Sequence, residues 1–142
     1  MSRIGLVIVA AMLALVVPAH AHALEEPPVV ATPDRDTTIR EISDGVYVVT
    51  HAFPWPANSL IVLCGDGDAA MIDTPYTPEA TRLVLEWLFA THGDRNVVAV
   101  VTGFHFDNLG GVSELRDRGI PVWGSDRTAE LIHERGEESR EL

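Results

Sequence analysis

The chain has 142 residues, 46% hydrophobic and 22% charged, which is enough for one domain that buries about two thirds of its surface. Lysine is absent, all ten basic residues are Arg, and the formal net charge is −11. With no basic stripe and no aromatic-basic alternation, such a surface repels DNA, RNA and anionic membranes, and a nucleic-acid role is excluded.

In chain order, residues 1–23 read as an export signal. Arg3 precedes an apolar run from Ile4 to Val17, and Ala21-His22-Ala23 is a small-x-small cleavage site in which His20 and His22 are bystanders. The run falls short of the roughly 20 residues that cross a bilayer, and Leu24 rather than Cys follows the cut, so no stable membrane or lipid anchor is expected. The expected location is periplasmic or secreted. Residues 24–36, rich in Pro and charge, predict a flexible leader, and residues 37–142 predict the folded part.

Thr37–Glu41 and Val46–Thr50 read as short strands around a tight turn at Asp44-Gly45. The link Phe53-Pro54-Trp55-Pro56 holds two aromatics between prolines: Phe53 and Trp55 form either a stiff apolar lip for an amphipathic substrate or the closure of the core. Ser59–Cys64 and Ala69–Asp73 are further strands. Their linker Gly65-Asp66-Gly67-Asp68 lacks the later ligands of a calcium loop and reads as a hairpin turn. The lone Cys64 has no internal disulfide partner and reads as a buried structural thiol. Thr77-Pro78-Glu79-Ala80 starts a helix, with Thr77 as cap, Pro78 in the first turn, and Leu83, Val84, Trp87 and Leu88 as its apolar face; it ends near Gly93. The β-branched run Asn96–Thr102 predicts a strand covered on both faces. Asn108–Arg118 reads as a second helix, Ile120–Trp123 as a strand and Ser125–Arg135 as a third helix, so the alternation is that of an α/β protein. His51, His92 and His133 have no partners at ligand spacing and are read as non-catalytic.

The richest chemistry lies in Thr102-Gly103-Phe104-His105-Phe106-Asp107-Asn108-Leu109-Gly110-Gly111, just beyond the buried strand. Ligands commonly bind outside the carboxyl ends of strands in open α/β sheets. His105 and Asp107 are two apart, a spacing at which an extended segment sends both side chains to one side. Imidazole nitrogen with carboxylate oxygen suits zinc, whereas calcium asks for more oxygens; two donors are still fewer than a zinc site takes from its protein. The spacing alone therefore leaves a metal or substrate role open beside a polar turn or helix cap. Asp73, ending its strand nearby, either supports the His105 loop by hydrogen bonds or caps a turn at Thr74-Pro75-Tyr76.

These residues resemble the metallo-beta-lactamase superfamily, whose members carry Thr-His-x-His-x-Asp-His/Arg-x-Gly-Gly after a buried strand. Ile72-Asp73-Thr74-Pro75 is similar to the family's Ile-Asp-Thr/Ser-x block, and Ile42–Thr50 to its opening strand pair; the likeness runs over roughly residues 38 to 135. The resemblance implies the N-terminal half of an αββα sandwich, a mixed sheet with flanking helices, and zinc-assisted hydrolysis in which the metal acidifies water and steadies the developing negative charge. Gly103 departs from it, standing where the first His would bind the three-histidine zinc, and Asn108 replaces the Arg or His that follows the Asp. One lactamase subclass has Asn at the position of Gly103 and works with a single zinc held by Asp, Cys and His. On that likeness His105 and Asp107 are the candidate catalytic and metal residues, His105 placed to orient or deprotonate water, with Asp73 and Asn108 as supports. Phe53 and Trp55 fall where broad-spectrum members carry a substrate-covering flap. The family's other ligands come from a second half, which has no counterpart before Leu142.

The expectation is a truncated or incomplete exported zinc-dependent hydrolase of β-lactamase type, cleaving the C–N amide of a β-lactam in its intact form. One zinc is expected in a completed protein and weak or absent binding in this chain, which by itself is expected to be inactive. One alternative is a non-catalytic binding or assembly domain that self-associates through an uncovered sheet face. Another is a fragment of a superfamily hydrolase acting on a thioester, lactone or phosphoester.

Overall fold

The computed structural model describes residues 26–135, so the export signal and its cleavage site lie outside the described residues. Seven strands form one mixed sheet in sequence order. Strands β1 (Val29–Ala31), β2 (Thr37–Ser43), β3 (Val46–His51), β4 (Ala57–Cys64) and β5 (Asp68–Ile72) make an antiparallel meander. Helix α1 (Pro78–His92) carries the chain to β6 (Asn96–Val101), which pairs parallel with β5. The short helices α2 (Phe106–Leu109) and α3 (Val112–Asp117) lead to β7 (Val122–Gly124), again parallel, and α4 (Asp126–Arg135) follows. The result is the expected α/β architecture, a mixed sheet with flanking helices of the αββα type.

Local chemistry explains the element ends. The turn between β2 and β3 puts Gly45 at φ 68°, a left-handed conformation that glycine adopts without a steric penalty. The Thr77 hydroxyl accepts from the Ala80 amide at 3.1 Å, capping α1, with Pro78 as its first residue. Gly93, at φ 75°, ends it.

The core lies between one sheet face and α1 and α3. Ile39, Val49, Ile61, Met71 and Ala99 meet Val84, Leu85 and Leu88 of α1 and Leu115 of α3, all almost fully buried. Each large apolar side chain there stabilises the fold by about 1.5–3 kcal/mol relative to exposure. The buried stripe of α1 is Ala80, Thr81, Val84, Leu85 and Leu88, so the expected Leu83 and Trp87 sit at its margin and Leu85 takes the centre.

Four expectations need correction. Strand β6 is not covered on both faces: its side chains alternate strictly, and Val98 and Val100 remain 40% and 36% exposed. Cys64 is exposed rather than buried, because it ends β4 beside the hairpin, paired with Asp68 beyond the helix-covered core. Within the segment expected to be a flexible leader, Val29–Ala31 pairs with β2 as an edge strand. The helix expected over Asn108–Arg118 is two helices broken at Gly110-Gly111. There Thr74 draws the backbone away from helical bonding: its amide and hydroxyl both donate to the Asn108 carbonyl at 3.1 Å, and its hydroxyl accepts from the Gly111 amide at 2.9 Å.

On the sheet face opposite this core, cross-strand register aligns Val48, Leu60, Ile72, Val100 and Trp123 in one apolar row across five strands. Trp123 closes that row with 65% of its surface exposed.

Candidate active site at the carboxyl ends of β5 and β6

Asp73 ties the two parallel strands together where they end. Its amide donates to the Val100 carbonyl at 2.9 Å, and its carboxylate accepts from the Thr102 amide at 2.7 Å and the Thr102 hydroxyl at 2.6 Å. Its φ of 58° lies in the left-handed region, which Asp tolerates better than most residues. The buried Asp73 therefore anchors the first residue of the loop that carries His105.

Beyond that anchor, the loop and the segment after β5 enclose a cavity of about 480 Å³, lined by Phe53, Pro54, Trp55, Tyr76, Thr77, His105, Phe106 and Asp107. Of the residues singled out from the sequence, His105, Asp107, Phe53 and Trp55 meet in this cavity. The local conformation differs from the extended one expected: His105 is the extended residue preceding α2 and Asp107 lies in that helix's first turn, yet both side chains line the same space. Phe53 and Trp55 do not close the core; they are 66% and 58% exposed and stand on the cavity wall.

Asp73 and Asn108 are outside the lining. A Cβ built on Gly103 would come within 2.5 Å of the Asn108 side-chain oxygen, so Asn108 occupies the room beside Gly103. The close approach of the next loop is stricter. A Cβ on Gly110 would fall 2.0 Å from the Tyr76 carbonyl oxygen, and one on Gly111 would fall 1.8 Å from Thr81 Oγ1. The Gly-Gly pair lets the His105 segment rest directly on the backbone after β5.

Sequence reasoning did not assign Pro54, Tyr76, Thr77 or Phe106 to the lining, nor His51 behind it. Tyr76 is only 2% exposed, and its hydroxyl has no hydrogen-bond partner among the described residues. Burial, and then the nearby Asp107 carboxylate, push its phenol above the ordinary value. His51 is buried against the Tyr76 ring and its Nδ1 accepts from the Tyr76 amide at 3.2 Å, which holds that ring in the wall. The signal for Tyr76 was its place directly after Asp73-Thr74-Pro75; the pairing of His51 with it spans 25 positions and left no local trace.

His105 and Asp107 offer a metal one nitrogen and one oxygen donor. Among the described residues no group of three or more His, Cys, Asp or Glu side chains could hold a metal ion. A zinc site takes at least three protein ligands, so the donors present do not fit a closed zinc centre.

A mixed α/β sheet with a cavity at the ends of its parallel strands, walled by aromatics and edged by His105 and Asp107, defines an α/β protein with a candidate small-molecule site. The sequence matches the metallo-beta-lactamase superfamily over residues 52–142, and the chain belongs to that superfamily. It is 32% identical over 107 residues to the metallo-beta-lactamase type 2 of Pseudomonas aeruginosa, covering 71% of this chain and 43% of that protein. Against the metallo-beta-lactamase type 2 of Bacteroides fragilis it is 26% identical with the same coverage. Among solved structures, a metallo-beta-lactamase from Erythrobacter litoralis with beta-mercaptoethanol in its active site aligns with a TM-score of 0.67 and 28% identity, over 77% of this chain and 49% of that one. A Pseudomonas aeruginosa metallo-beta-lactamase in its mono-zinc form aligns with a TM-score of 0.64 and 30% identity, over 74% and 49%. The chain thus spans less than half the length of these relatives.

Proposed function

We propose that this chain carries the first-half site of an exported zinc-dependent hydrolase of β-lactamase type, which in its intact form cleaves the C–N amide bond of a β-lactam. The observation that carries this is the convergence of His105 and Asp107 on one cavity walled by Phe53 and Trp55, in a chain of this family. In this proposal Asp107 and His105 supply part of the metal and catalytic set, Asp73 supports their loop, Asn108 fills the space beside Gly103, and Phe53 with Trp55 form the substrate lip. With Gly103 unable to ligate, a completed protein holds one zinc rather than two. The chain alone is inactive, because two donors do not hold a catalytic metal.

The test is to sequence the DNA beyond Leu142, join any in-frame or frameshifted second half, and assay the product for zinc content and for hydrolysis of a carbapenem and a penicillin. One zinc per chain, turnover biased toward the carbapenem, and loss of both metal and turnover in Asp107→Ala are expected. Two zincs at full activity would contradict the single-metal proposal, and a downstream sequence without ligands would contradict the hydrolase proposal itself. Turnover of a thioester, lactone or phosphoester in place of both lactams would reassign the substrate within the superfamily.

A second proposal rests on the apolar row Val48, Leu60, Ile72, Val100 and Trp123: a non-catalytic assembly domain that self-associates through this face. Sedimentation of the chain and of Val100→Arg separates them, since a concentration-dependent oligomer abolished by the substitution favours assembly and a monomer in both removes it.

A further inference from the structure

We propose that the cavity beside His105 is a binding site for a small organic ammonium cation, with Asp107 as the counter-charge and the rings of Trp55, Tyr76 and Phe106 as its walls. The inference shares this cavity with the proposed hydrolase function but needs neither the metal nor bond cleavage.

Among the described residues the lining is half aromatic, its one formal charge is the Asp107 carboxylate, and neither Lys nor Arg reaches it. Among the described lining residues an anionic ligand would meet that carboxylate with no Lys or Arg to offset it, whereas a cation gains from it and from the long-range field of a chain of net charge −11. Trp55 and Tyr76 stand at 88° with ring centroids 6.3 Å apart, and Tyr76 and Phe106 lie 5.9 Å apart at 34°. Trp55 and Phe106 keep ring surface open, at 58% and 43% exposed, while the buried Tyr76 ring backs both. Cations within about 6 Å of such rings are attracted by their quadrupoles, and ammonium groups are the ligands that aromatic cages select. The space of about 480 Å³ lies in the size range of small-molecule sites and exceeds what one bare metal ion requires.

The experiment is isothermal titration of the full 142-residue chain, in buffer with a chelator so that no metal occupies Asp107, using choline and its uncharged tert-butyl carbon analogue. Choline is expected to bind at least about tenfold more tightly than the analogue. Asp107→Asn, close in shape, should weaken choline by about tenfold and leave the analogue unchanged. Trp55→Leu should weaken choline by a similar factor, and because Trp55 is largely exposed the core survives the change, which circular dichroism checks. Raising the salt concentration should weaken choline binding and spare the analogue. Equal binding of both probes, no choline binding by the folded chain, or indifference to Asp107→Asn would overturn the proposal. Zinc titration reports separately: zinc binding without choline binding sinks this inference alone, and choline binding with weak or no zinc binding supports it while leaving the single-zinc proposal to be tested on the completed protein.

Discussion

Asp73 shows how a single residue links sequence to site. Its carboxylate accepts two hydrogen bonds from Thr102. Asp73→Ala should therefore cost about 3 kcal/mol, because a part-buried amide and hydroxyl lose a charged acceptor. Asp73→Asn keeps one oxygen acceptor and the tolerance for positive φ, so a smaller loss of about 1 kcal/mol is expected; urea unfolding of the two variants measures the difference. Tyr76 carries the opposite sign. Its buried hydroxyl is unpartnered among the described residues, so Tyr76→Phe should leave stability unchanged or raise it by about 1 kcal/mol. Since burial and Asp107 raise its phenol, the stability tied to the neutral form is present below the ordinary phenol range near pH 10 and is lost as pH rises through it. Tyr76→Phe should flatten that alkaline loss, leaving the part due to Tyr47, whose phenol burial and Glu41 also raise. Asp73 was visible in the sequence because it ends an apolar run. The buried setting of Tyr76 was not, because it depends on His51 from another strand.

Elements whose causes are local were legible, and those with distant causes were not. The start of α1 follows from Thr77, Pro78 and Glu79 in consecutive positions, and Thr77→Ala should cost about 1 kcal/mol of stability in thermal or urea unfolding. On the exposed side of this helix Arg82 bridges Glu79 and Glu86, and the Arg82 hydrogen bond holds the Glu79 carboxyl below its usual range. The break between α2 and α3 arises instead from Thr74, 34 positions before Asn108 and 37 before Gly111, so a local pattern read one continuous helix. That contact makes Gly111→Ala a sharp probe. The added methyl would collide with Thr81 and Thr74, both buried, and a loss of about 3 kcal/mol in urea unfolding is expected. The strand β6 was recognised from its β-branched run, but its composition does not distinguish two covered faces from one, and the exposed Val98 and Val100 show the second case.

At the scale of the molecule, strand order and pairing register are not written in composition; the sheet runs β1 to β7 in sequence order. No helix among the described residues is long and apolar enough to cross a membrane. Export is expected to leave Leu24 as the first residue, which intact-mass measurement of secreted or periplasmic protein checks; an uncut precursor would contradict it. Cys64 illustrates what composition misses: free cysteines are commonly buried, yet this one ends its strand in solvent. The candidate site was legible as a pair of donors, and its incompleteness follows from the same two residues, since His105 and Asp107 share a cavity that lacks a third metal-capable side chain among the described residues. The most direct measurement is therefore zinc titration of the metal-free, folded 142-residue chain by calorimetry, with His105→Ala and Asp107→Ala alongside. Weak binding, further reduced in both variants, is the expected result; a tight one-to-one zinc site abolished by His105→Ala would contradict the account.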